Sequence, residues 1–202
     1  MKYPIGIQDF QSLRQDGYLY IDKTEMIYQL VKTGRYYFLS RPRRFGKSLL
    51  VSTLEAYFEG KRELFRGLAM ERLEQEWAAY PVLHLDLNID KYDMPESVDR
   101  MLNDSLAEWE RRYGSRPSEV TPALRFAGVI RRACEKTGHR VVILVDEYDK
   151  PLLNAIGNKP LQESFRSSLK PFYGVLKTMD RYIRFALLTG VTKFGKVSVF
   201  SD

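Results

Sequence analysis

The sequence predicts an α/β protein whose parallel sheet is covered by helices on both faces. Four short runs of β-branched, aromatic or leucine residues are typical of strands that are buried on both sides, and helical patterns lie between them. Strands that alternate with helices favour right-handed crossover connections. The predicted strands span residues 36–40, 82–87, 141–145 and 183–188.

The segments between the strands carry apolar residues at helical spacing. The longest stripe joins Leu161, Phe165, Leu169, Phe172 and Leu176. Because Pro171 lies inside this stripe, the sequence predicts either a kink or a junction of two helices there. Further helices are predicted over residues 23–32, 48–58, 96–113 and 122–136.

Composition fits one globular domain and excludes several other classes of protein. The 202 residues are 44% hydrophobic, which rules out a disordered chain. No apolar run approaches the roughly 20 residues that a membrane span needs, and the first ten residues lack the apolar core of a secretory signal. The single cysteine, Cys134, cannot form an internal disulfide, so we expect a cytoplasmic protein.

The charge balance is basic, with 32 Lys and Arg residues against 26 Asp and Glu residues and a net charge of +6. Such a surplus permits contact with nucleic acid. No run of Lys or Arg exceeds two residues, however, and basic groups can also serve a phosphate pocket. Direct binding of nucleic acid is therefore kept only as an alternative.

The first predicted strand runs into a loop that ends in Gly46, Lys47 and Ser48, followed by an apolar helix. This is the end of the phosphate-binding pattern G-x-x-x-x-G-K-[ST], although Arg41 replaces its first glycine. Gly46 lets the backbone approach phosphates, Lys47 reaches the β- and γ-phosphates, and the Ser48 hydroxyl binds Mg²⁺. The candidate nucleotide-binding residues are Arg43, Arg44, Phe45, Gly46, Lys47, Ser48 and Leu49. For the two loop arginines, contact with phosphates and simple solvation both remain open.

The third predicted strand ends in two adjacent carboxylates, Asp146 and Glu147. This is the form of a Walker B strand followed by a catalytic glutamate, at the edge of the sheet where α/β proteins bind ligands. Asp146 would hold Mg²⁺, and Glu147 would orient and deprotonate the attacking water. Asp149 and Lys150 are either supporting groups behind the site or ordinary loop charges.

The fourth predicted strand is followed by Thr189, at the position where related ATPases carry a polar sensor of the γ-phosphate or the attacking water; a plain Thr-Gly turn is the alternative. The catalytic candidates are thus Glu147 and Thr189, and the metal candidates are Ser48 and Asp146. No guanine-specific N-K-x-D stretch is present, so the expected ligands are ATP and Mg²⁺.

The number of strands suits a class of ATPases in which an extra strand lies between the P-loop strand and the Walker B strand. Residues 82–87 are the candidate for this strand; His84 is expected to be a satisfied core residue, and Asp86 is able to approach the site. This class normally continues with a fifth strand and a helical lid, which we expect to be missing. Residues 183–188 should then form an exposed sheet edge.

The chain resembles the AAA-ATPase-like family of mostly bacterial proteins, which often carry a C-terminal PD-(D/E)XK nuclease-like domain. The most specific segment is Pro-Arg-Arg-Phe-Gly-Lys-Ser at residues 42–48. Other segments that carry the resemblance lie at residues 3–10, 17–24, 80–86, 145–149 and 188–194. The resemblance implies a three-layer P-loop NTPase fold of the AAA/ASCE type, a missing first glycine as a family trait, and site residues at Lys47, Ser48, Asp146 and Glu147.

We therefore expect an N-terminal lead-in packed on the sheet, residues 1–35, and a P-loop ATPase core, residues 36–202, without the last strand, the lid or the nuclease-like domain. The predicted function is an ATP-binding and ATP-hydrolysing switch domain of a larger protein or assembly, slow in isolation because no arginine finger is evident. A nucleotide-binding regulatory module without turnover and a nucleic-acid-associated fragment are the alternatives. Expected partners are the nucleotide, further copies of the chain or a nuclease-like domain supplied elsewhere, and no membrane.

Overall fold

A computed structural model describes residues 2–192 and contains one four-stranded sheet in which all strands are parallel. The strands are β1 (Tyr36–Ser40), β2 (Val82–Asp86), β3 (Val141–Asp146) and β4 (Ile183–Gly190). Each lies where the sequence predicts it, so the predicted α/β fold is confirmed.

Eight α-helices surround the sheet in the described part of the chain, and the five predicted ones are all present. The helix over Lys159–Thr178 runs through Pro171 as one element, so the alternative of two joined helices is wrong. Three short helices, at Phe10–Gln15, Ala69–Leu73 and Lys150–Asn154, were not predicted. The helices are α1 (Phe10–Gln15), α2 (Thr24–Thr33), α3 (Lys47–Phe58), α4 (Ala69–Leu73), α5 (Ser97–Tyr113), α6 (Pro122–Thr137), α7 (Lys150–Asn154) and α8 (Lys159–Thr178).

The strand order is β1-β4-β3-β2. A strand does lie between the P-loop strand β1 and the Walker B strand β3, as the ATPase class requires, but it is β4. The candidate proposed from the sequence, β2, lies at the far edge beside β3.

The expected exposure of residues 183–188 at a sheet edge is wrong. In β4 only Arg184 is partly exposed, and the strand pairs with β1 on one side and β3 on the other. A continuous apolar run is the signature of a strand covered on both faces. Within the described residues the two edge strands are β1 and β2 instead, and Tyr36 at the start of β1 is 41% exposed.

The sheet separates two apolar cores. The larger core packs α5, α6 and α8 on one face, and the smaller core packs α1, α2, α3 and α4 on the other. Side chains alternate along β3, so Val142 and Leu144 face α3 while Val141, Ile143 and Val145 face the larger core. The same alternation directs Asp146 to the α3 side.

The N-terminal segment packs on the smaller core. The Ser52 hydroxyl of α3 donates to the Gln8 carbonyl at 3.0 Å and accepts from the Phe10 N–H at 3.0 Å. The division at residue 35 stays a prediction, and the end of the expected core, residues 193–202, lies outside the described residues. Between residues 2 and 192, no helix is both long enough and apolar enough to cross a membrane.

Candidate active site

The loop after β1 leads to an open helix end. Residues 41–46 are exposed, and α3 begins at Lys47. Gly46 has a φ of 74°, in the left-handed region that favours glycine, and no side chain caps the helix. Because the first N–H groups of a helix have no partner within it and lie at the positive end of its dipole, this end of α3 is suited to an anion.

Lys47 is turned back onto its own loop and onto the end of β3. Its Nζ donates to the carbonyls of Arg41 at 3.1 Å and Pro42 at 3.3 Å, and it lies 2.9 Å from Glu147 Oε1. The Lys47 side chain is only 3% exposed and the Glu147 side chain 13%. The two candidate groups therefore form a largely buried ion pair.

Asp146 is the polar centre of the site. Its side chain is buried, and Oδ2 accepts from the Ser48 hydroxyl at 2.5 Å. The hydroxyl of Thr189, at the end of β4, donates to the other carboxylate oxygen. Groups from α3, β3 and β4 that are far apart in sequence thus meet at the carboxyl end of the sheet.

Glu147 follows Asp146 in a conformation that non-glycine residues seldom adopt, with a φ of 53°. Its N–H donates to the Thr189 hydroxyl at 3.3 Å, so Thr189 touches both members of the acidic pair. Such backbone strain persists only where neighbouring contacts hold it, and it concentrates at functional sites.

The remaining loop candidates differ in their surroundings. Arg43, Arg44 and Phe45 are exposed, and Arg44 has a left-handed φ of 67°. Leu49 instead packs its side chain against the smaller core, which leaves only its backbone N–H for a ligand.

On β2, Asp86 lies directly beside Asp146 in the strand register. Two residues earlier, His84 Nδ1 lies 3.0 Å from Glu55 Oε2 on α3. Burial lowers the pKa of His84, but the hydrogen bond and charge of Glu55, together with the charges of both aspartates, raise it above its ordinary value. The expectation of a satisfied core residue is met only in part, because Nδ1 is paired with Glu55 whereas Nε2 has no hydrogen-bond partner among the described residues and the side chain is 29% exposed.

The two charges after Glu147 prove to be unlike. Lys150 Nζ contacts the Asn88 carbonyl at 2.7 Å and lies at the surface. Asp149, in contrast, is 1% exposed and binds the chain that leaves β4. The sequence left both interpretations open for Asp149, and nothing in it indicated the contact with the Val191 N–H, because the two residues are 42 positions apart.

The all-parallel sheet, its strand order and the loop between β1 and α3 define a P-loop NTPase-like α/β protein. The family model described as "Predicted AAA-ATPase" matches residues 4–200. The chain belongs to this AAA-ATPase-like family, as the resemblance implied.

Among curated proteins, the chain is similar to the "Uncharacterized protein in vnfD 5'region" of Azotobacter chroococcum mcd 1. The two are 41% identical over 202 residues, which cover 99% of this chain but 39% of that relative. The chain thus spans well under half the length of the relative. No solved structure gives a significant match.

Proposed function

We propose that this chain binds ATP with Mg²⁺ and hydrolyses it to ADP and phosphate, as the switch domain of a larger protein or assembly. The observation that carries the proposal is the 2.5 Å contact between Ser48 Oγ and Asp146 Oδ2, which joins the P-loop helix to the end of β3 across 98 positions of sequence. Family membership supports nucleotide binding, and the greater length of the curated relative supports a role within a larger protein.

The oxygen donors fit Mg²⁺. Within residues 2–192 no group of three or more His, Cys, Asp or Glu side chains could hold a metal by itself. Mg²⁺ needs no such cage, because it keeps several waters and is held by one or two carboxylates together with phosphate oxygens. Ser48 and Asp146 would hold it, and the bound ion would neutralise charge on the phosphates.

Lys47 and Glu147 must separate before the chemistry. Lys47 would leave Glu147 and bind the β- and γ-phosphates. Further candidate contacts to the nucleotide lie along the same loop: Arg43, Arg44, Phe45 and the first N–H groups of α3. Glu147 would then accept a proton from the attacking water. The water oxygen would bond to the γ-phosphorus, and the bond between the γ-phosphorus and the β–γ bridging oxygen would break. ADP and phosphate leave, and Thr189 would orient the water or sense the γ-phosphate.

A regulatory module that binds nucleotide without turnover is the second candidate. The Lys47–Glu147 ion pair favours it, because a carboxylate that stayed in this pair would not be free to accept a proton from water. Further copies of the chain or a nuclease-like domain would be partners in either case.

Adjacent substitutions separate the two candidates. Asp146→Ala should weaken Mg²⁺-dependent binding of ATP, because it removes the metal carboxylate. Glu147→Gln should retain binding and slow turnover by roughly 10²–10⁴-fold, as loss of a general base does. Phosphate release and binding of a non-hydrolysable ATP analogue are measured for both variants. Turnover at the parent rate in Glu147→Gln would show that Glu147 is not the general base. Tight binding of ATP without any turnover in the parent would establish the regulatory module.

A further inference from the structure

The buried carboxylate of Asp149, behind the site, is hydrogen-bonded to the turn that follows β4. Asp149 Oδ2 accepts from the Thr192 N–H at 2.6 Å, the Thr192 hydroxyl at 2.7 Å and the Val191 N–H at 3.0 Å. Among residues 2–192, no lysine, arginine or histidine forms an ion pair with it. A buried charge is costly unless it is hydrogen-bonded, so these donors, which all belong to the two residues after β4, fix the place of Asp149.

The two segments approach each other more closely than any side chain on Gly190 would permit. A Cβ atom there would lie 2.6 Å from Asp149 Oδ1 and 2.5 Å from Tyr148 Cε1. The Tyr148 hydroxyl donates to the Thr192 carbonyl at 2.7 Å, and the Tyr148 N–H donates to the Thr189 carbonyl at 2.8 Å. Through Tyr148 the loop after β3 is thus tied to the chain on both sides of Gly190, at Thr189 and at Thr192.

The same turn also holds the start of the P-loop. The Ser40 hydroxyl donates to the Val191 carbonyl at 2.9 Å, and the Arg41 N–H donates to the Gly190 carbonyl at 3.1 Å. Since Lys47 in turn contacts the Arg41 carbonyl, the phosphate loop, the turn after β4 and the acidic loop form one hydrogen-bonded ring.

We propose that Asp149 is a positioning residue for hydrolysis. It touches neither nucleotide nor water; by holding residues 190–192 it fixes Thr189 and the strained Glu147 relative to the phosphate loop. The inference rests on the proposed function, because it assigns to Asp149 the placement of the base and of the sensor. Loss of the anchor should leave nucleotide binding, which depends on Lys47 and Ser48, largely intact and misplace the water-activating groups.

The test compares Asp149→Asn with a matched buried carboxylate. Asn keeps the size but has only one acceptor oxygen and no charge. Even with that oxygen at the Oδ2 position, its NH₂ group faces the Val191 N–H, which Asp149 Oδ1 accepts at 3.2 Å. We expect kcat for ATP to fall by about 10–100-fold, as for other groups that orient reacting residues, with KM and the Kd of ADP changed less than about threefold. Glu74→Gln is the control, because Glu74 is 6% exposed and lies among α2, α3 and α4; it should keep kcat.

Two milder variants cover the case in which Asp149→Asn fails to fold. Thr192→Val removes only the hydroxyl bond and should lower kcat severalfold, while Thr192→Ser should restore it. The positioning role is overturned if Asp149→Asn or Thr192→Val has the same kcat as the control Glu74→Gln. It is also overturned if these variants change KM but not kcat. Glu147→Gln separates failure of this inference from failure of the proposed function. If Glu147→Gln slows turnover while Asp149→Asn does not, only the role of Asp149 is wrong. If Glu147→Gln keeps the parent rate, both the proposed base and the role of Asp149 are wrong.

Discussion

Lys47 and Glu147 form a buried ion pair, and this contact bears on the proposed binding of nucleotide. The ammonium has three oxygen partners, two carbonyls and the carboxylate. If phosphates bind Lys47 as proposed, they replace the Glu147 carboxylate, and part of their attraction to Lys47 is offset by the contact that is lost.

This competition predicts that Glu147→Gln binds ADP more tightly than the parent does. The amide carries no charge, so Lys47 should favour phosphate by about 3–10-fold in Kd, equivalent to roughly 0.7–1.4 kcal/mol. ADP is the ligand of choice because its affinity is not altered by slower hydrolysis. Calorimetric titration with Mg²⁺ and ADP measures the effect.

The matched control is Glu119→Gln. Its side chain is also 13% exposed and pairs with Arg132 at 2.6 Å, but its partners lie away from the P-loop. ADP affinity in this variant should equal that of the parent. Equal or weaker ADP binding in Glu147→Gln would show that the ion pair does not compete with the ligand.

Among the secondary-structure elements, the short helix α4 depends on polar contacts with its neighbours. Glu74, just after its last turn, accepts from the Tyr57 hydroxyl of α3 at 2.5 Å and pairs with Lys32 of α2 at 2.9 Å. Burial alone would raise the pKa of Glu74, but the hydrogen bonds from Tyr57, Lys32 and the Glu76 N–H outweigh it and hold the pKa at about 2.

A lowered pKa means that Glu74 stabilises the fold most when it is ionised in both the folded and the unfolded state. Glu74→Gln should lower the free energy of unfolding by about 1–2 kcal/mol at neutral pH, since Lys32 is partly exposed. The difference between parent and variant should shrink as the pH falls from about 4.5 toward about 2. Urea titrations across this pH range measure it, with the exposed Glu163→Gln as control; a difference independent of pH would contradict the assignment.

Elements with their own apolar stripe could be predicted, and those held by distant contacts could not. The stripe from Leu161 to Leu176 gave α8, although the sequence left the effect of Pro171 open. Helix α4 has five residues, too few for periodicity to show, and its first turn is tied to Asp22 and Thr24 through the N–H groups of Ala69 and Met70. These contacts join residues about 46 positions apart, which no local pattern records.

For the whole molecule, the sequence located the four strands but not their order. The candidate P-loop follows β1 and Asp146 ends β3, and because parallel strands end at the same edge, the sequence predicted that the two lie close together. The position of β4 depends on which strands its backbone pairs with, and only its fully apolar run hinted at the centre of the sheet. The supporting contacts of Asp149 were hidden for the same reason.

Because the site draws on α3, β3 and β4, a ligand there should stabilise the whole molecule. Mg²⁺ and an ATP analogue at 100 times Kd add about 2.7 kcal/mol to the free energy of unfolding. For a domain of this size, Tm should rise by roughly 5–11 °C. Lys47→Ala should abolish this rise, because it removes the cation that is proposed to bind the β- and γ-phosphates. Each variant is compared with its own ligand-free Tm, since Lys47→Ala also leaves Glu147 without its ion-pair partner.

The control is Lys61→Ala, which removes an ammonium that pairs with Glu59 and is 38% exposed; this variant should keep the full shift in Tm. An equal shift in the Lys47→Ala protein would mean that the ligand binds elsewhere.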